Sequence, residues 1–203
     1  MARTPRKETQ LDHIRQDILR AAARAASQVG LGSVTMRDIA REAGYTVGTL
    51  YSYFENKAAI ETGMIAQLSE LILSSLKVPV PTGLNFQQKV ELLAHRQLSI
   101  ADEWRDGLFA IMMVVPGLAS TIAQDSTAGV VTAFSEWLDA NATPEDVGSR
   151  ESLEVALFYF GVLEVVLTSA MARKFEGPLC DLLPRIMSLF FHGLSGPAPA
   201  SAP

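Results

Sequence analysis

Residues 35–57 read TMRDIAREAGYTVGTLYSYFENK, and their spacing predicts two short helices joined by a tight turn. Thr35 and Asp38 form a capping-box pattern, in which a hydroxyl accepts from the amide three residues on and the acidic side chain returns the bond. Ile39, Ala40 and Ala43 then share one face, with alanines small enough to keep a neighbouring helix close. Gly44 supplies the turn that commonly ends a helix. Thr46 is placed to cap a second short helix that turns Leu50 and Phe54 inward. Asn56 is placed to cap a third, running through Ile60, Met64, Ile65, Leu68, Ile72 and Leu76.

A scaffold helix, a tight turn and a second helix with an open N-terminal end are the parts of a helix-turn-helix that reads duplex DNA. Thr46, Val47, Gly48 and Thr49 form the reading edge. Gly48 lets the backbone come close, and Val47 suits a thymine methyl group. Tyr51 and Tyr53 bring hydroxyls towards the phosphates, and Lys57 brings charge at a helix start whose dipole favours anions. Thr35 offers a hydroxyl and a backbone N–H to the same oxygens. Arg37 and Arg41 are further phosphate candidates that read equally well as solvated surface.

Outward from this stretch the pattern stays helical. A first helix is predicted from Leu11 to Val29, with Ile14, Ile18, Ala22, Ala25 and Val29 on one face and Gly30 and Gly32 as its stop. The run Lys77-Val-Pro-Val-Pro-Thr-Gly83 cannot be helical throughout, because each proline lacks a donor and restricts the residue before it. Helices follow at about 86–104, 107–115, 120–141, 151–175 and 179–192 by the same periodicity. Hairpin turns between alternating segments do not occur. The expected architecture is all-α with about nine helices: a DNA-binding domain over 1–55, a helical domain over 56–194, and a Pro/Ala/Ser-rich tail over 195–203 expected to be disordered.

Charge sharpens this division. The 203-residue chain carries 17 Lys and Arg against 22 Asp and Glu, a formal net charge of −5. The first 60 residues hold nine basic and six acidic side chains, +3, and the remainder is at −8. The basic excess therefore lies in the segment that reads as DNA-facing. A single cysteine, Cys180, excludes an intramolecular disulfide framework and a multi-cysteine zinc site, and fits a reducing cytosol. The basic N-terminus is followed by Glu8, Asp12, Arg15 and Asp17 rather than an apolar stretch, so no export signal is expected. The segment Val155 to Ala172 is apolar enough to be weighed as a membrane span, but Glu164 near its centre favours a buried helix and no membrane partner.

Catalytic and metal chemistry find little support. Gly44-Tyr-Thr46-Val-Gly48 has the spacing of a nucleophile elbow, yet what precedes it is helical where that motif needs a strand. His13, His95 and His192 are dispersed, without ligand spacing. Neither catalytic residues nor metal ligands nor a cofactor are expected. The remaining alternatives to a DNA-binding repressor are an all-α interaction or enzyme domain without DNA binding or, within the same class, a transcriptional activator.

From Leu11 to about Leu68 the sequence resembles the TetR family of transcriptional regulators. The resemblance rests on Thr35, Arg37-Asp38-Ile39-Ala40, Ala43-Gly44, Gly48-Thr49-Leu50-Tyr51, Tyr53-Phe54 and Lys57 at fixed spacing. Tyr45 stands where the family usually has Val. The resemblance implies a cytoplasmic homodimer that represses from a palindromic double-stranded DNA operator and is released by a small ligand in the C-terminal domain. It also implies dimerisation through the last two long helices, here with Leu153, Leu157, Phe160 and Leu167 on one and Leu182, Ile186, Leu189 and Phe190 on the other. An apolar or aromatic effector would meet Trp104, Phe109, Met112, Met113, Phe134, Trp137 and Phe158, a set rich in adaptable side chains. Glu164 has three readings: a partner for Arg96 or His95, an edge residue at the dimer seam, or a ligand contact.

Overall fold

The computed structural model describes residues 5–30, 32–108, 121–148 and 150–193. All regular structure among them is helical. Helix α1 (Pro5–Val29) starts at Pro5 rather than Leu11, because proline loses nothing in a first turn where amides have no intrahelical acceptor. Then come α2 (Met36–Ala43), α3 (Val47–Tyr51) and α4 (Lys57–Lys77). Next are α5 (Phe86–Glu103), α6 (Thr121–Asn141), a single turn α7 (Pro144–Val147) and α8 (Ser152–Ala172). A 3-10 turn (Leu179–Leu182) leads into α9 (Leu183–His192).

The chain divides into two compact units. Among the described residues the first comprises 5–68 with 104–108 and 121–124, and the second 69–103 with 125–193. The first unit is thus larger than the 1–55 read from the sequence. Its core explains why: Ile60 and Met64 of α4 are as buried as Ile18 and Leu19 of α1, Ile39 of α2 and Leu50 of α3. The core of the second unit is built from Leu93 and Leu98 of α5, Phe134 and Leu138 of α6, Tyr159 of α8 and Ile186 of α9.

Local chemistry sets the helix ends. Asn85 and Gln88 exchange side-chain and backbone bonds of 2.9 and 3.0 Å at the start of α5. The proline linker before it is held by Arg96, whose guanidinium donates to the Val78 and Pro79 carbonyls at 3.1 and 3.2 Å. Two late boundaries differ from expectation. α8 stops at Ala172, where Lys174 takes a positive φ of 55° and the Phe175 amide returns to the Ala170 carbonyl at 3.0 Å. The last helix is broken at Leu182, because a helix continuous from Leu179 would carry Pro184 in its interior, without an amide to donate. The expected helix over 107–115 lies, beyond residue 108, outside the described residues, as does the tail over 195–203.

Candidate nucleic-acid interface

The helix-turn-helix forms as a set of interlocked caps. Thr35 accepts from the Asp38 amide at 3.3 Å, while the Thr35 amide and hydroxyl donate to the Asp38 carboxylate at 3.1 and 2.6 Å. The Thr35 hydroxyl and then its amide hold the Asp38 carboxyl below its ordinary range. Gly44 takes φ 71°, ψ 22°, left-handed geometry that costs an L side chain roughly 1–2 kcal/mol and glycine little. Tyr45 N–H then closes the turn on the Ala40 carbonyl at 3.0 Å.

Thr46 opens α3 by accepting from the Thr49 amide at 3.0 Å, with the two hydroxyls 2.8 Å apart. Leu50, fully buried, and Phe54 anchor the inner side, and Arg15 lies over the Phe54 ring at 4.6 Å. Thr46 and Gly48 are left exposed, Val47 and Thr49 half-exposed, and the Tyr51 ring stands 55% exposed. The residues read from the sequence as a DNA edge thus present small side chains and one aromatic hydroxyl on a face that the core holds from behind. Tyr53 is half-buried.

Several expected phosphate donors are otherwise engaged. Both Thr35 donors are taken by Asp38, so a phosphate would have to displace the capping box. Lys57 Nζ donates to the Gly32 carbonyl at 3.1 Å and lies 3.6 Å from Glu61. The lysine braces the α1–α2 turn against the start of α4, where a freely presented cation was expected. Arg41 pairs with Asp38 at 2.9 Å yet keeps its side chain 80% exposed, and Arg37 is exposed. Two braces were not anticipated. Arg24 donates to Glu42 at 2.7 Å, locking α1 to α2, and the Tyr45 hydroxyl donates to Asp17 at 3.3 Å. Burial, and then the Asp17 charge, raise the Tyr45 hydroxyl above its ordinary pKa. Contacts of this kind join residues 18 and 28 positions apart, which no local spacing rule reports.

Residues 18–60, from α1 to the first turn of α4, match the model for bacterial regulatory proteins of the tetR family. The HTH-type transcriptional regulator YvdT of Bacillus subtilis (strain 168) is 25% identical over 124 residues, 61% of this chain. The match spans 62% of the length of that curated relative. The α1–α4 segment is thus tetR-like in sequence. In fold, the chain resembles solved structures along nearly its whole length. The fatty acid degradation regulator FadR from Bacillus halodurans superposes with a TM-score of 0.77 at 16% identity, covering 97% of this chain and all of the other. FadR from Bacillus subtilis, solved in complex with stearoyl-CoA, gives 0.74 at 16% identity, over 88% of this chain and 98% of that one. These relatives are regulators of transcription rather than enzymes.

Of the residues expected to line an effector pocket, those described belong to both units. Phe134 and Trp137 stack in the second unit, ring centroids 5.5 Å apart, and both are buried. Trp104 is buried in the first unit. Phe109, Met112 and Met113 lie outside the described residues. Phe158 is 52% exposed and borders an open groove of about 600 Å³ with Phe86, Phe190 and Phe191. Glu164 is exposed on the outer face of α8, and its expected partner Arg96 is committed to the Val78 and Pro79 carbonyls.

The dimer candidates divide in the same way. Leu153 and Leu157 are exposed on the outer face of α8, where Val165, at 64% exposed, continues the stripe. Phe160, Leu182, Leu189 and Phe190 are half-buried. Leu167 and Ile186 turn into the core of the subunit, 6% and 0% exposed, which removes them from any seam. α8 is also long and apolar enough to cross a membrane, with a mean hydropathy of 1.9. It is not the wholly buried helix expected from its sequence, since only a third of its most apolar window is buried.

Proposed function

We propose that the protein is a repressor that binds a palindromic operator as a homodimer in the cytosol and is released by a small effector held in the second unit. The observation that carries the reading is the α2–α3 corner. Gly44 and two side-chain caps fix a five-residue helix whose only open face is Thr46, Val47, Gly48, Thr49 and Tyr51. Such an edge fits a major groove, with Arg37 and Arg41 at its flank for phosphates. The exposed apolar stripe of Leu153, Leu157 and Val165 supports the dimer, because an unpaired patch of that kind on a soluble regulator marks an association surface. Two copies meet half-sites about one DNA turn apart, roughly 34–36 Å.

Release needs a path from the effector to α3. Within the first unit, a Cβ on Gly107 would sit 3.1 Å from Ala23 and 3.2 Å from the Trp104 ring. The segment after α5 therefore lies tightly against α1, where small displacements are transmitted rather than absorbed. An acyl thioester or fatty acid is the effector class to test first, because a structural neighbour was solved with stearoyl-CoA.

The test is fluorescence anisotropy on duplex DNA from the region upstream of the protein's own gene, over a salt series. Binding should weaken steeply with salt, and Arg37→Gln should lower the slope of log K against log salt by about 0.9, the share of one phosphate. Tyr51→Ala should abolish the preference for the operator over random duplex. Leu157→Glu should shift the sedimenting species from dimer to monomer. Absence of DNA binding by the wild-type protein, or unchanged preference in Tyr51→Ala, would overturn the reading.

A further inference from the structure

The core of the second unit holds a polar group for which folding alone gives no reason. Gln97 of α5 is 3% exposed and faces Tyr159 of α8, which is fully buried. The Tyr159 hydroxyl donates to Gln97 Oε1 at 2.7 Å. Nε2, at the other end of the same carboxamide, is buried without a hydrogen-bond partner among the described residues. The surroundings are apolar: Leu93, Ala94, Leu98 and Ala101 on α5 are buried, and Phe134 packs on the Tyr159 ring with centroids 4.6 Å apart.

A buried amide nitrogen without an acceptor is destabilising, and a methionine or leucine would fill the same volume without that penalty. The other buried polar side chain among the described residues, Ser75, has no such deficit, since its hydroxyl donates to the Ile72 carbonyl at 2.6 Å. Tyr159 fixes the orientation of the Gln97 amide by occupying its oxygen. Burial raises the Tyr159 hydroxyl far above its ordinary pKa, so it stays a donor at any physiological pH. What remains is an oriented N–H pair inside an aromatic and aliphatic shell. That arrangement matches an oxygen acceptor on an otherwise apolar molecule.

We propose that Gln97, held by Tyr159, is the polar reader of the effector site, with Nε2 donating to a carbonyl or carboxylate oxygen of a ligand whose remainder is apolar. This rests on the effector-released regulator described above. It adds the chemical requirement that the effector present an oxygen acceptor inside the second unit. Tyr159 is then a positioning residue that acts through the orientation of Gln97.

The experiment uses the full chain, with stearoyl-CoA and stearate as oxygen-bearing probes and stearyltrimethylammonium as a probe with the same chain and no oxygen. Calorimetric titration and thermal melting are run on wild type and on Gln97→Met/Tyr159→Phe, in which both partners become apolar at nearly constant shape. The double variant should melt no lower than wild type without ligand, bind operator DNA unchanged, and lose at least about tenfold in affinity for an oxygen-bearing probe. In wild type, the side-chain amide resonances of Gln97 should move when that probe is added, a readout that needs no variant. Unchanged affinity in the double variant, unmoved Gln97 resonances, or equal binding of stearyltrimethylammonium would overturn the proposal. So would failure of the wild type to bind either oxygen-bearing probe, while DNA binding measured on the same sample leaves the regulator reading standing.

Discussion

The helix-turn-helix and the core of the second unit solve the same problem, placing polar groups on an apolar scaffold, at different distances along the chain. In the first, Thr35 answers Asp38, Asp38 answers Arg41 and Thr46 answers Thr49, each three residues on. In the second, the central polar contact joins Gln97 to Tyr159, 62 residues away. Short-range pairs form as soon as the backbone turns and are repeated by any sequence that keeps the spacing. A long-range pair depends on the packing of whole helices. It can be left incomplete because the rest of the core holds it in place.

The severest way to break this contrast is to remove an anchor that the local pairs depend on. Phe54→Ala takes away a buried ring that also carries the Arg15 contact, and should cost about 3–5 kcal/mol. Differential scanning calorimetry should show the first unit melting earlier, with operator binding lost even though every cap is still encoded. Next in size is Tyr159→Phe, which strands both ends of the Gln97 carboxamide. About 1–3 kcal/mol of stability should disappear in urea titrations, with DNA affinity of the folded protein unchanged.

A smaller effect tests the local side. Thr46→Ala removes the cap of α3 and should cost about 0.5–2 kcal/mol, while Thr46→Gly should cost only a few tenths. DNA affinity should fall in the same order if the cap matters through the geometry of the recognition helix. The smallest effect is acidic. Asp38 has its pKa lowered from the ordinary 3.8 by the Thr35 hydroxyl and amide. The capping contribution is therefore complete above that value and is lost as pH falls through the lowered one. In acid titrations followed by circular dichroism, Asp38→Asn should flatten the stability change below about pH 4 and leave the neutral range almost untouched.

The same contrast decides what could be read in advance. Thr35, Thr46 and Asn56 announced their caps because each accepts from an amide three residues on, Gly44 because a left-handed turn favours glycine, and Leu50 and Phe54 announced their burial by period. The brace from Lys57 to Gly32 joins residues 25 apart, so a lysine at a helix start read as a free cation. α8 posed a different difficulty. Leu, Val, Phe and Ala occur all around it, so hydrophobic period could not tell the inward Leu167 from the outward Leu157 and Val165. The division of the pocket residues was hidden for a related reason. Trp104 follows directly on α5, yet it belongs to the first unit and is buried, and no composition rule assigns a tryptophan to one of two cores.

The five residues of α3 also fix when the regulator can act. Isolated helices shorter than about 12–15 residues are marginal in water, so the recognition helix has no existence apart from the core that holds Leu50 and Phe54. Operator recognition should therefore vanish with the cooperative melting of the first unit instead of fading by degrees. Under the function proposed above, any stress that lowers that melting point would release the target promoter with the steepness of a folding transition, and without an effector.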